Sequence, residues 1–415
     1  MQIMISFAAL FLSVALVQLG SGSLGPLDTL AGAAAGFSAQ EIGFLGSAHF
    51  VGFFIGCWLT PRLMGKVGHS RAFAAVAAIG AVAALLHPVI RDPMVWAFLR
   101  VGTGLAVAGA YTIVESWIQA KVDNASRGRV GSVYRIVDLV AQIGAQGLVA
   151  ALDPASYVAY NIIATLCCLC LLPLTLTTSL PPPSDAAPRL RPLLVFAVSP
   201  LAAAAIIVVG LTNSSFRMVG PIYALESGLV AAEIGLFMVA GVAGGALAQW
   251  PAGWFSDKFD RRWALITLSA AAILVCLAIS IGGGAEGRLV YLAAFAFGAA
   301  AFPLYSIAAA HANDFAAPGD MVELNAAIVF LFGVGAIVSP LAASMLIERF
   351  GPPALFLYVA AAHSFLILFS LWRMTRRAAT ELKTPHIYLP RTSFLVGRVF
   401  RGRRRAATRS EADKS

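Results

Sequence analysis

Twelve apolar stretches follow one another along this sequence, separated by short breaks that hold Pro, Gly or charge. They fall at 4–30, 41–63, 71–90, 94–119, 130–150, 155–177, 192–222, 231–255, 263–283, 288–310, 322–346 and 353–373. Each is long enough to cross about 30 Å of hydrocarbon, where every backbone N–H and C=O must be bonded within the chain. Stretches of this length therefore read as helices, and the fold expected is all-α and polytopic. Composition agrees, because 59% hydrophobic and 12% charged residues leave too few ionic side chains to cover a water-facing surface. The first stretch has no Lys or Arg before it and runs straight into further spans, so it reads as a helix rather than a leader. Cys167, Cys168 and Cys170 stand among leucines in the sixth stretch and read as small apolar residues, with no disulfide or metal spacing.

Charge gives an orientation. With a cytoplasmic N-terminus, the inside breaks hold Arg62, Lys66 and Arg71, then Lys121, Arg127 and Arg129, then Arg189 and Arg191, then Lys258, Arg261 and Arg262. The opposite breaks hold only Arg91, Arg288 and Arg349, so the positive-inside rule puts both termini in the cytoplasm. The turn after the tenth span is an inside exception, with His311, Asp314, Asp320 and Glu323 but no Lys or Arg. A basic tail, 374–415, dominates the formal net charge of +9; it reads as disordered, with Arg401–Arg405 touching anionic lipid headgroups, and not as a nucleic-acid surface.

One segment occurs twice. GFSAQEIGFL, residues 36–45, returns as GLVAAEIGLF, residues 228–237, and each copy opens a span that ends in a basic turn. A repeat at this spacing, in a chain with six spans per half, implies two pseudo-symmetric six-helix bundles, 1–177 and 192–373, joined by a cytoplasmic linker, 178–191. Beyond the second and eighth spans the repeat fades, so the halves are expected to have taken different roles.

The break after the eighth span reads Gly253-x-x-x-Asp257-Lys258-x-Asp260-Arg261-Arg262, and the break after the second is a degenerate copy with Pro61-Arg62 and Gly68-His69-Ser70-Arg71. With Arg100-Val101-Gly102-Thr103-Gly104 in the fourth span, these resemble the signature loop and the arginine motif of major facilitator superfamily transporters, over roughly residues 1–373. Asp260 takes the place of the loop's second glycine. The helix-five glycine-proline signature of the drug-antiporter branch is missing from Gln142–Gly147. Val67-Gly68-His69-x-Arg71-Ala72-Phe73, Ile113–Trp117, Gln249-Trp250-Pro251-x-Gly253 and Ala308–Asp314 are similar to the YcaD-like branch. The resemblance implies the major facilitator fold and alternating access, but names no substrate.

Ionised groups inside hydrocarbon must pair, snorkel or face water, so the few polar residues in the spans are the informative ones. Glu115, Arg135 and Asp138 fall at comparable depth on the neighbouring fourth and fifth spans, Arg135 and Asp138 on one face. Two readings stay open for them: a gate or proton-uptake role, and a static clamp. Arg100 is a coupling or a packing residue. Arg217, near Asn213, is the one Lys or Arg in the second half's spans that does not stand at a span's end, and either binds an anionic or polyhydroxylated solute or stretches to the surface. His49 and Gln18 lie mid-span, where an imidazole relays a proton, bonds solute or is satisfied by a neighbour. Tyr305 faces the cavity in this reading. His311, Asn313 and Asp314 follow the tenth span into a turn, either to cap the next helix or to latch an inner gate. Asp257, Lys258, Arg261 and Arg262, and more weakly Arg62 and Arg71, read as a cytoplasmic clamp between helix ends; His69 reads as a loop residue.

No phosphate loop and no metal-spaced His/Cys set is present in the sequence, which disfavours ATP-driven transport and metalloenzyme chemistry. The function expected is a monomeric secondary active transporter in the bacterial inner membrane, without cofactor, moving a small polar solute by alternating access and coupled to protons through Glu115, Asp138 or His49. A facilitated-diffusion carrier and a transporter-like sensor or scaffold without turnover are the alternatives. No nucleophile–base set points to an enzyme.

Overall fold

A computed structural model describes residues 2–122, 127–154, 156–176, 191–281, 288–317 and 319–376. The linker short of Arg191, and the tail beyond residue 376 with its Arg401–Arg405 lipid contact, lie outside the described residues. In chain order the helices are α1 (Gln2–Ala34), α2 (Ala39–Val67), α3 (His69–Leu86), α4 (Pro93–Lys121), α5 (Arg127–Ala151), α6 (Tyr157–Leu169), α7 (Leu171–Leu176), α8 (Leu194–Val198), α9 (Pro200–Glu226), α10 (Ala231–Lys258), α11 (Arg261–Ile281), α12 (Leu289–Ala301), α13 (Leu304–Asp314), α14 (Met321–Phe350) and α15 (Ala354–Met374). They supply twelve spans, α6 with α7 and α12 with α13 each making one. Two boundaries differ from the sequence reading. His311, Asn313 and Asp314 are not in a turn but form the last, buried turn of α13, and His69 is not a loop residue but opens α3 at 1% exposure. Asn313, Asp314 and His69 meet polar partners on neighbouring helices there, Asn325, Arg261 and Ser116 respectively.

The repeated decapeptide proves to be punctuation. Gly36 and Gly228 take φ of +85° and +89°, a left-handed step that costs a side chain energy and ends α1 and α9. Five residues later Glu41 and Glu233 turn back onto the chain: the Ser38 N–H donates to Glu41 at 2.8 Å and the Val230 N–H donates to Glu233 at 3.0 Å. In the first copy Ser38 also accepts from the Glu41 N–H, completing a capping box. Helix stop and helix start are thus set by the same two residue types in both copies.

The chain divides into two compact units. Unit 1 comprises Met1–Ala187, Arg217–Val239 and Pro340–Arg349, so it takes in the ends of three helices from the second half of the sequence; unit 2 is the remainder. In unit 1 two apolar cores lie along the helices, one around Val14, Phe73, Val76 and Trp117, the other around Leu27, Ala84, Trp96 and Tyr160. Unit 2 is built on Leu201, Ile206, Val209, Leu304, Ile307 and Leu366. Large apolar side chains such as Phe98, Trp250 and Ile281 are some 80% exposed, the faces that lipid covers.

One packing device occurs in both units. Where α2 crosses α4, a Cβ on Gly52 would stand 1.9 Å from the Val101 carbonyl oxygen and one on Gly104 would stand 1.9 Å from that of His49. Where α10 crosses α12, Gly244 meets the Phe295 carbonyl and Gly298 that of Gly241, again at 1.9 Å. Backbone rests on backbone at both crossings, as small residues allow in membranes. Gly52 and Gly244 are separated by the same offset as Glu41 and Glu233, so the duplication persists after the sequence similarity has faded.

Candidate functional site

Unit 1 carries its polar chemistry in buried clusters. In the first, Asp28 of α1 is 2% exposed, and its Oδ1 accepts from the Tyr160 hydroxyl of α6 at 2.9 Å. Its Oδ2 lies 3.5 Å from Arg100 Nη1 on α4 and 3.6 Å from His87 Nε2 just past α3. These distances exceed the 2.7–2.9 Å usual for charge-assisted bonds, so the pair recovers less than its burial costs. The Arg100 Nη2 donates toward the Met218 sulfur at 3.6 Å. His87 Nδ1 is 2.7 Å from the Ala83 carbonyl, which only accepts, so Nδ1 carries the hydrogen. Burial lowers the His87 pKa, partly opposed by Asp28, which favours the neutral ring. A neutral ring then turns the lone pair of Nε2 toward a carboxylate oxygen. Two acceptors facing each other at 3.6 Å leave a place for one proton.

The neighbours hold this cluster in place. Trp96 Nε1 donates to the carbonyls of His87 and Ile90 at 2.9 and 2.8 Å, and the His87 ring stacks on Tyr160 with centroids 5.4 Å apart. Two residues before Asp28, Pro26 interrupts α1. Proline has no N–H to give the carbonyl four residues back, and the Gln146 amide of α5 donates to that Gly22 oxygen at 3.2 Å.

In the second cluster the Tyr111 hydroxyl of α4 lies 2.8 Å from Gln18 Oε1 on α1 and 2.9 Å from Asp138 Oδ1 on α5. One hydroxyl proton cannot serve both, so with the Gln18 amide turned over, an N–H donates to Tyr111 and Tyr111 donates to the carboxylate. Protonating Asp138 would reverse the direction of that chain. Glu115 accepts from the Tyr134 hydroxyl at 3.2 Å, and Arg135 Nε donates to the Gly131 carbonyl of its own helix at 3.0 Å. His49 is buried in α2 with its ring edge-on to Phe50. Arg217 and Asn213 are half-buried on α9.

In unit 2, Ser215 and Ser339 bond to each other, and Ser339 also meets Tyr358 at 3.0 Å. Tyr305 is buried edge-on to Phe332. The signature loop forms a tight latch. Arg261, 1% exposed, donates through Nε to Asp314 at 2.7 Å and through Nη1 to Ser256 at 3.2 Å, and Nη1 is 3.2 Å from Asp257. It ties the α10–α11 turn to the end of α13. Arg262 clasps Asp260 at 2.6 Å; burial raises the Asp260 pKa, but the bonds from Arg262 outweigh it and hold the carboxyl below its usual range. Asn313 and Asn325 exchange amide bonds at 2.9 and 3.3 Å between α13 and α14. His311 packs edge-on to Phe315, and Lys258 lies over Trp254. In unit 1 the corresponding residues are looser: Arg62 stacks on Trp58 and donates to its carbonyl at 2.6 Å, Arg71 donates to the Val67 carbonyl, and buried His69 meets Ser116 at 3.4 Å.

The sequence reading named Arg100 but missed Asp28, His87 and Tyr160. A signal for Asp28 was present: it is the one charged residue in positions 1–40.

The sequence model of the Major Facilitator Superfamily matches residues 10–326, with a further match over 202–408. The chain belongs to the Major Facilitator Superfamily. Within it, the chain is 27% identical over 367 residues to the uncharacterised MFS-type transporter YcaD of Salmonella arizonae, covering 86% of this chain and 93% of that one. It is 26% identical over 350 residues to an uncharacterised MFS-type transporter of Enterobacter sp. strain 638, covering 83% and 88%. These relatives agree with the YcaD-like motifs. Among solved folds, the nucleoside transporter NupG superposes with a TM-score of 0.74 at 16% identity over 90% of this chain and 99% of that one. The D-xylose-proton symporter does so with 0.65 at 14% identity over 89% and 96%. This facilitator is thus a multi-pass protein of the bacterial inner membrane, and its activity is membrane transport of a small solute.

Proposed function

We propose that this facilitator is a secondary active transporter that moves a small polar solute by alternating access, with both termini cytoplasmic, and that a proton held at Asp28 couples the movement. The observation that carries the reading is the gap between Asp28 Oδ2 and His87 Nε2, two buried acceptors 3.6 Å apart with Arg100 beside them. A proton placed there neutralises Asp28 and frees the Arg100 guanidinium from its only counter-charge among the described ion pairs. A buried cation without its partner is costly, so the cluster has two states of different charge and different packing. Asp138 with Tyr111 and Gln18 is the second candidate, because its hydrogen-bond chain also reverses on protonation. Arg261 with Asp314 acts as a latch at the inner end of unit 2, on the positive-inside orientation. Arg217, Asn213 and Tyr305 stay candidates for solute contact, while His49, Glu115 and Arg135 stay candidates for coupling. The likeness to a nucleoside transporter and a D-xylose-proton symporter supports polyhydroxylated solutes as the first class to test.

The test uses purified protein in liposomes, a panel of nucleosides, pentoses and other small polar solutes, and an imposed pH gradient. Asp28→Asn is expected to abolish pH-driven accumulation while leaving solute exchange across the membrane. Solute exchange with no pH-driven accumulation in the unaltered protein would leave a facilitated-diffusion carrier; accumulation that survives Asp28→Asn, Asp138→Asn and Glu115→Gln alike would remove all three as the coupling site; solute binding without any turnover would leave a sensor or scaffold.

A further inference from the structure

Beside the Asp28 cluster, unit 1 contains a cavity at the end of the bundle that carries the α3–α4 and α5–α6 turns. It lies among Ala35, Pro88, Arg91, Trp96, Ser156 and Tyr160, and offers water about 60 Å³. A single water needs roughly 10–15 Å³ by that measure, so several fit. Ala35 and Arg91 are exposed, which opens the cavity to solvent, whereas Tyr160 is 2% exposed and stands at its inner wall. Trp96 cannot swing away, because its indole N–H is committed to two carbonyls of the α3–α4 turn. Tyr160 is therefore the residue that both lines the cavity and, through its hydroxyl, touches the buried carboxylate, at 2.9 Å.

We infer that this cavity is a water-filled access path, by which a proton reaches Asp28 through the interior of unit 1 with the Tyr160 hydroxyl as its last relay. The inference rests on the proton reading of Asp28. The step is an exchange of like bonds: a hydronium in the cavity gives a proton to the Tyr160 oxygen as the Tyr160 O–H passes its own to Asp28 Oδ1, leaving water, an intact phenol and a carboxylic acid, whose carboxyl then turns over to set the proton in the gap facing His87 Nε2, with no electrons transferred. The groups facing Asp28 are Arg100 from α4, His87 from the end of α3 and Tyr160 from α6. Arg91 stands at the mouth, and Asp153 precedes Pro154 and Ser156 in the α5–α6 connection.

The experiment needs no known solute. Full-length protein is placed in liposomes, its orientation is fixed by labelling Gln40→Cys, exposed at the same end but outside the cavity, with a membrane-impermeant maleimide, and acid is jumped onto the labelled side. Protonation of Asp28 is followed by the infrared C=O band of a carboxylic acid, identified as the band missing from Asp28→Asn. Tyr160→Phe keeps the ring but removes the relay, and Ala35→Trp fills the cavity from an exposed position. Each is expected to slow the rise of the band at least tenfold, while Thr165→Ala, on the exposed face of α6 away from the cavity, leaves the rate unchanged. Unaltered rates in both Tyr160→Phe and Ala35→Trp, with the Asp28 band present, overturn the access path and leave the proton site standing. Absence of any band assignable to Asp28 overturns both.

Discussion

Replacing Gly104 by alanine adds one carbon atom at the place where α4 rests on α2. That Cβ would lie 1.9 Å from the His49 carbonyl oxygen, about 1.5 Å short of ordinary van der Waals contact. The obstacle is backbone, so no rotamer can relieve it and the helices must move apart. Overpacking of this kind costs about 3 kcal/mol, at the upper end of the usual range, and the better helix propensity of alanine returns about 1 kcal/mol. The net loss of about 2 kcal/mol lowers the folded-to-unfolded ratio roughly thirtyfold. Gly102, two residues earlier on the same helix, is the control: a Cβ there meets only Ala83 and Ile79 side chains at 3.6 Å, an ordinary contact. Gly102→Ala should therefore leave stability unchanged or raise it slightly. Reversible unfolding of purified protein in mixed detergent micelles, titrated with a denaturing detergent, measures both. Equal midpoints for Gly104→Ala and Gly102→Ala would refute the claim that backbone contact sets this crossing, and the equivalent Gly298→Ala in unit 2 should repeat the loss.

The latch and the amide pair give further expectations in the same unfolding assay. Asp314→Asn leaves the buried Arg261 guanidinium without its main counter-charge and should cost about 3 kcal/mol, whereas Asp257→Asn, at a side chain 41% exposed, should cost under about 1 kcal/mol. Asn325→Ala strands one amide oxygen of Asn313 and should cost about 1–3 kcal/mol, and the double Asn313→Ala/Asn325→Ala variant should cost less than the two singles together. His87 has its folded pKa lowered by burial, so the unfolded chain takes up the proton first. Its contribution to stability is whole above the unfolded value of about 6.5 and is lost as pH falls below it, by at most about 1.4 kcal/mol per pH unit. His87→Gln should flatten that part of the pH profile, read from thermal unfolding between neutral and mildly acid pH.

The twelve spans were legible because hydrocarbon admits no other solution for long apolar stretches, and the superfamily was legible because its loop needs particular ions at helix ends. Helix ends were less so: His311 and Asp314 look like turn residues until Arg261 and Phe315 appear beside them to compensate their burial. Arg100 could be singled out as a lone cation in an apolar span, but its counter-charge lies 72 positions away on another helix. A single aspartate in α1 says only that a partner is needed, not which. The same holds for Asp138, picked out for its position on one face with Arg135, whereas the group the structure sets on it, Tyr111, comes from α4. The repeat was visible where capping demands a glycine and a glutamate, and invisible at the helix crossings, where any sequence serves provided two glycines meet.

The interruption of α1 at Pro26 carries a consequence for motion. A regular helix bends only by straining bonds it owns, but here one rung of the ladder has been handed to Gln146 on α5. That rung can open without breaking a backbone bond of either helix, and it lies six residues before Asp28. The stretch of α1 that presents the acid is thereby held from outside, by a side chain of α5, where an uninterrupted helix would hold itself.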